Sequence, residues 1–216
     1  YAKKETGAKN LVLAGGVALN CVANGKLQQQ NIFDGIWIQP AAGDAGGALG
    51  AALLVSHEYF NVPRVMNISK RDSQRGSYLG AQYSTSEVKA YLDRNNYPYE
   101  CILDKAQLSS TIADALASGK IVGYMSGRME FGPRSLGARS ILGDPRNTKT
   151  QSIMNLKIKY RESFRPFAPS VLQEDVGDYF NINCESPYML LVAPVKEDRC
   201  NVPDPSDHAK NEDMLK

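Results

Sequence analysis

The chain has 216 residues, 43% of them hydrophobic and 22% charged, with a formal net charge of +2. That balance fits a globular protein of one large domain or two small ones, and no apolar run approaches the ~20 residues that a membrane helix needs. The near-neutral total excludes a global field for polyanions, so neither a membrane nor a nucleic acid is expected as a partner.

The start at Tyr1 has neither an initiating Met nor the apolar segment of a signal peptide, so an excised piece of a longer protein is expected. Residues 1–9 read as the end of a helix closed by Gly7. Residues 10–14 form a short apolar run, a buried strand by length and composition. Gly15 and Gly16 follow, then a helix over 17–30, a second strand over 32–39 and a loop over 40–43. Residues 45–60 read as a small-residue helix able to pack closely against its neighbours. The order of strand, glycine pair, helix, strand, loop and helix is an α/β pattern.

The character changes near residue 61. Residues 61–80 hold Pro63, Gly76 and many polar side chains with weak periodicity, which reads as a linker. Ser84-Thr85-Ser86-Glu87 opens the next helix, because Glu three residues after Ser fits a capping box. Residues 97–103 resemble a strand, 109–118 a helix ended by Gly119, and 121–125 another strand. A helix over 171–180 and a strand over 188–195 follow, and the polar tail from Lys196 is expected to be mobile. Cys21, Cys101, Cys184 and Cys200 lie far apart without a CxxC spacing, and read as free thiols of a cytoplasmic protein.

Charge is unevenly placed. Residues 128–165 carry nine basic side chains and three acids, a local charge of +6, which leaves −4 for the rest of the chain. Six of the nine are arginines: Arg128, Arg134, Arg139, Arg146, Arg161 and Arg165. Arginine's planar fork pairs bidentately with phosphate or carboxylate, and the turns at Gly132-Pro133 and Gly143-Asp144-Pro145 can bend such forks together. An extended 154–161 would point Lys159 and Arg161 the same way. Phe164, Pro166, Phe167 and Pro169 make an apolar edge that could flank a base. The other reading is structural: a solvated basic face, with Glu130 and Glu162 pairing with neighbouring arginines and Phe131 and Phe167 in the core.

Two further features admit two readings each. Gly15-Gly16 after a strand presents bare amides at a helix start, suited to an anion, and equally makes a tight turn. Asp44, between glycines, suits a divalent cation, and equally suits a helix cap.

Residues 11–27 (LVLAGGVALNCVANGKL) and 40–52 (PAAGDAGGALGAA), with GRMEFGPRSLGARSIL (127–142) and IKYRESFRPFAPSV (158–171), resemble O-carbamoyltransferases of the NodU/CmcH type. The resemblance implies a fold class: α/β, the end of an actin-like (ASKHA-type) domain over 1–62, a linker over 63–82 and part of a YrdC-like α/β domain over 83–216. It implies ATP and carbamoyl phosphate as ligands, carbamoyl-adenylate as intermediate and a hydroxyl acceptor. Arg128, Arg134, Arg139, Ser140, Lys159, Arg161 and Arg165 inherit carbamoyl phosphate and nucleotide binding. Gly15, Gly16 and Asn20 inherit nucleotide contact, and Asp44 a divalent metal, iron or magnesium. The family's metal-binding histidines have no counterpart, since His57 and His208 match neither. Little transferase activity is expected of this piece alone, and self-association through exposed apolar surface is. The alternatives are an actin-fold, sugar-kinase-like ATPase, which leaves the arginine segment unexplained, and a YrdC-like RNA-binding or nucleotide-binding module.

Overall fold

The computed structural model describes residues 1–65 and 72–200. It is a mixed α/β chain that forms two compact units. The first comprises residues 1–83, 126–139 and 184–193, and the second residues 84–125, 140–183 and 194–216. Among the described residues no helix is long and apolar enough to cross a membrane.

The first unit begins with a short helix α1 (Ala2–Thr6) that Gly7 ends in the left-handed conformation, donating its N–H to Lys3. Strand β1 (Asn10–Leu13) pairs in parallel with β2 (Gly35–Ile38), with Leu11 opposite Ile36 and Leu13 opposite Ile38. Helix α2 (Cys21–Gln29) lies between them in the chain, as a parallel pair requires a long connection. The helix expected over 17–30 is broken at Asn20. A 3-10 turn (Gly16–Leu19) comes first, and the Asn20 side chain then caps α2 by accepting from the Ala23 N–H at 3.1 Å. The core holds Ala18, Ile38, Ala42, Tyr188 and Leu190, flanked by Leu13, Leu19, Ile36, Leu136 and Leu191. Asn24 is buried among them and satisfied: its amide donates to Ala18 O at 2.8 Å and Leu190 O at 3.0 Å.

Helix α3 (Asp44–Leu54) continues as a wider turn (Val55–Tyr59). It has the expected composition but none of its residues is buried. The linker expected over 61–80 includes residues 66–71, which lie outside the described residues. Its later part carries a turn over Arg75–Ser77.

In the second unit, α4 (Thr85–Arg94) starts with the expected capping box. Ser84 Oγ accepts from the Glu87 N–H at 3.2 Å, and Glu87 accepts from the Ser84 N–H at 2.7 Å. Helix α5 (Lys105–Ala117) is capped by Asp104, which accepts from the Gln107 N–H. Strand β3 (Val122–Met125) pairs with β4 (Arg139–Leu142), whose first residue belongs to the first unit. Short helices α6 (Thr150–Ile153) and α7 (Val176–Tyr179) follow. Met154 and Asn155 are the residues that this unit buries among those described.

Four expectations are corrected. Residues 97–103 form no strand, because their aromatic and branched side chains find no partner strand. Residues 188–195 are irregular apart from one antiparallel bridge between Val195 and Phe180. The helix expected over 171–180 shrinks to a 3-10 turn (Gln173–Asp175) and α7. Residues 154–161 are not extended: Met154–Lys159 is a wide helical turn ended by Tyr160 in the left-handed region. The alternation that aligned Lys159 with Arg161 therefore does not apply. The mobile tail expected from Lys196 begins with a 3-10 turn (Glu197–Arg199), and residues 201–216 lie outside the described residues.

Candidate functional site

Three of the sequence motifs meet within the first unit. Gly15 adopts φ 98°, which a side chain would strain, and its N–H donates to Ala42 O at 2.8 Å. That bond joins the glycine pair to the loop before Asp44. Arg134 donates from Nη2 to Leu19 O at 2.9 Å, which joins the arginine segment to the same turn. Gly132 lies against Pro40 and Ala41, so close that a Cβ there would sit 3.4 Å from their backbone.

Glu130 organises the arginine loop at this junction. Its side chain is buried and accepts from the N–H groups of Leu136 at 2.6 Å and Ala138 at 2.8 Å and from Arg139 Nε at 2.9 Å. Arg139 Nη2 also donates to Glu130 O at 3.1 Å. Burial by itself pushes the carboxyl up. The Arg139 guanidinium and the backbone donors outweigh it and hold the group at about 2. Sequence reasoning had Glu130 only as a counter-charge, and its role in folding residues 130–139 around itself was missed. The signal was present: one acid among glycines and backbone donors, spaced nine residues from Arg139.

The other motif residues are placed as follows. Arg128, also in the first unit, donates to Gly80 O at 2.7 Å. Asn20 is engaged as the cap of α2. Asp44 is the exposed first residue of α3 and is not its cap, which is Gly43. Among the described residues no group of three or more His, Cys, Asp and Glu could hold a metal ion. Among the described residues Asp44 thus stands as a single carboxylate, with no neighbouring His, Cys, Asp or Glu group to complete a divalent-cation site. His57 Nδ1 lies 2.7 Å from Val62 O, and His208 falls outside the described residues.

Ser140, Lys159, Arg161 and Arg165 belong to the second unit. There, buried Asn155 pins the segment after Tyr160. Its amide donates to Ser163 O at 3.0 Å and Arg165 O at 2.8 Å, and its oxygen accepts from Arg161 Nε at 2.6 Å. The Arg161 guanidinium lies 4.9 Å from the centre of the Phe167 ring. Arg165 pairs with Glu162 at 2.7 Å, and Arg146 with Asp144 at 2.7 Å. All three acids of the basic stretch therefore pair with an arginine; the structural reading of that stretch had this for Glu130 and Glu162, and Asp144 is an addition to it. Asn155 was not foreseen, since nothing local marks an asparagine that acts on residues eight and ten positions ahead.

Comparison with known proteins agrees with this motif order. Residues 1–53 match a family model described as Carbamoyltransferase N-terminus, and residues 113–211 one described as Carbamoyltransferase C-terminus. An uncharacterized protein of Synechocystis sp. is 58% identical over 90% of this chain and 32% of its own length. Nodulation protein NolO of Bradyrhizobium diazoefficiens is 43% identical over 94% of this chain and 36% of its own length. The 3'-hydroxymethylcephem-O-carbamoyltransferase of Amycolatopsis lactamdurans is 32% identical over 87% of this chain and 33% of its own length. The chain thus spans about a third of the length of the curated relatives it matches. With both ends of one family matched in chain order and the three motifs joined through Ala42, Leu19 and Arg134, the chain belongs to the carbamoyltransferase family.

Proposed function

We propose that this chain is part of an O-carbamoyltransferase that makes carbamoyl-adenylate from carbamoyl phosphate and ATP and passes the carbamoyl group to a hydroxyl. The acceptor is sugar-like or a secondary metabolite, a class that the hydroxymethylcephem named in one relative supports. In the transfer step the acceptor oxygen bonds to the carbamoyl carbon, the bond from that carbon to the AMP oxygen breaks, and the hydroxyl proton leaves. Such a step gains most from charge neutralisation and positioning, which guanidinium groups supply. On this reading residues 1–62 close an actin-like domain, residues 63–82 lead out of it, and residues 83–216 form part of a YrdC-like domain.

Arg134 carries the reading. Its Nε–H is buried and has no hydrogen-bond partner among the described residues, while its Nη2 is held on Leu19 beside the glycine pair. A buried guanidinium donor without an acceptor calls for an anion. On this reading Arg128 and Arg139 of the first unit and, separately, Ser140, Lys159, Arg161 and Arg165 of the second are phosphate ligands in the complete enzyme. Gly15, Gly16 and Asn20 meet the nucleotide there, and Asp44 gives one ligand to iron or magnesium. Self-association has support from exposed Leu54, Tyr59 and Phe60 at 62%, 76% and 66%.

Calorimetry with ATP and with carbamoyl phosphate tests the reading on the chain itself. Saturable binding is expected, weakened about tenfold by Arg134→Ala, the equivalent of one charge-assisted hydrogen bond. Flat titrations at millimolar ligand would overturn it. Phosphoryl transfer to a sugar without carbamoyl phosphate would favour the sugar-kinase-like alternative instead.

A further inference from the structure

The second unit places a polar side chain at its most buried position. Asn155 has no exposed surface, and Met154 is the other buried residue among those described in that unit. An apolar residue costs less to bury, so an amide here calls for a reason in its bonds. Those bonds converge on Arg161. Asn155 Oδ1 accepts from the Arg161 Nε–H at 2.6 Å. The Asn155 backbone carbonyl accepts from the N–H of Arg161 at 3.0 Å and from that of Tyr160. One residue thus holds Arg161 by main chain and side chain together. The Asn155 amide follows the same segment to Ser163 O and Arg165 O, and Arg165 O has a second donor in Gln151 at 3.1 Å. Among the described residues no other side chain accepts from Arg161 Nε.

The backbone bends to allow this. The wide turn over Met154–Lys159 ends at Tyr160 with φ 49° and ψ 52°, while the tyrosine is 86% exposed. A tyrosine rarely adopts the left-handed region, and packing of so exposed a ring does not account for it. What the reversal achieves is to bring the Arg161 side chain back onto Asn155. Wide turns of this kind recur at functional sites. Phe167 completes the arrangement. The Arg161 guanidinium lies 4.9 Å from the centre of its ring, so the ring backs one face of the fork. The Nε corner and one face of the guanidinium are therefore taken. The Nη1–Nη2 edge, which can pair bidentately with a phosphate, carries no hydrogen bond among the described residues.

We propose that Asn155 and Phe167 are positioning residues for Arg161. Asn155 fixes the fork at its Nε corner, Phe167 fixes its plane, and the Nη edge is set in advance for the phosphate of the carbamoyl donor. The inference rests on the carbamoyl-transfer reading, in which Arg161 meets phosphate. It gives Phe167 a different part from the base-flanking edge expected of it, because the guanidinium already lies on its ring. A fork held beforehand spares the bound state the ordering of a long side chain, which is how preorganisation gains affinity.

The 216-residue chain is titrated with carbamoyl phosphate by calorimetry, as the parent, Asn155→Ala, Arg161→Lys and the double variant. Lysine keeps the charge but has neither the Nε–H that Asn155 holds nor a plane for Phe167 to back. Asn155→Ala is expected to weaken binding about tenfold in the parent and less than about twofold beside Arg161→Lys, since its effect passes through the fork. A residue that merely supports the fold would weaken both backgrounds equally. If circular dichroism shows that Asn155→Ala does not fold, Phe167→Leu takes its place in the same cycle, with a loss of about threefold in the parent and none beside Arg161→Lys. Equal losses in the two backgrounds, or no loss in a folded variant, would overturn this inference and leave the carbamoyl-transfer reading standing. A parent chain that binds no carbamoyl phosphate would overturn both.

Discussion

Glu130 and Arg139 form an ion pair at 2.9 Å in which the carboxylate is wholly buried and the guanidinium is 40% exposed. The pair does not stand alone, since the same carboxylate collects the N–H groups of Leu136 and Ala138. Its folded pKa of about 2 lies below the ordinary value of 4.5. A carboxyl depressed in this way adds stability above its unfolded pKa and loses it as pH falls through the folded value. The affected window is therefore pH 4.5 down to about 2. The full shift corresponds to about 3 kcal/mol, and screening at the exposed end of Arg139 lowers it to roughly 2 kcal/mol. Urea unfolding followed across that window should show the decline, and Glu130→Gln should flatten it while costing about 2–4 kcal/mol at neutral pH. A variant as stable as the parent at pH 7 would count against the role given to Glu130.

Gly25 and Gly47 separate two uses of glycine on helices. A Cβ on Gly25 would collide with the carbonyl oxygen of Val192, because that segment crosses directly over α2. Gly25→Ala should therefore destabilise by about 1–3 kcal/mol, the range for an overpacked site. Gly47 in α3 has nothing within 4 Å of the place a methyl group would take, so Gly47→Ala should stabilise by about 0.5–1 kcal/mol. Thermal unfolding of the two single variants would decide both, and shifts of the same sign would contradict this difference in packing.

Local signals were legible in the sequence and distant ones were not. Gly7 closing α1, Ser84 with Glu87 opening α4, and the strand at residues 122–125 each rest on a few neighbouring residues. The strand, glycine pair, helix and strand of the first unit were legible for the same reason. Residues 97–103 have strand-forming side chains, but a strand exists only with a partner, which composition does not reveal. Lys159 and Arg161 were aligned on an assumed extended backbone, and the wide turn over Met154–Lys159 removes that assumption. Among the site residues, the junction of Gly15, Leu19 and Arg134 rests on motifs that could be quoted from the sequence. The bond from Tyr188 to Asp72 spans 116 residues and had no local mark.

Helix α3 and the turn after it present Leu53, Leu54, Val55, Tyr59 and Phe60, each more than 40% exposed. On the self-association proposed above, a second copy covers this run in solution. Size-exclusion chromatography with light scattering should find species larger than 23.7 kDa at micromolar concentration. Leu54→Glu together with Phe60→Glu should return the chain to the monomer mass, since both side chains lie mainly in solvent within one chain. Monomers at all concentrations for the parent chain would remove this role for α3.

Asn155 has no exposed surface, and its side chain makes three hydrogen bonds, to Ser163 O, Arg165 O and Arg161 Nε. Asparagine suits the position because it offers two donors and an acceptor in one plane. Asn155→Ala removes all three bonds and leaves two carbonyls with one donor fewer each, so a loss of about 2–3 kcal/mol is expected. Asn155→Asp keeps the acceptor for Arg161 but sets a carboxylate oxygen against those carbonyls, and should cost about as much. The more telling readout is local. Trypsin should cut after Arg161 faster in both variants, because Asn155 is what holds that segment to the wide turn over Met154–Lys159. Unchanged cleavage in a destabilised variant would mean that Asn155 supports the fold of the unit and not the placement of its arginines.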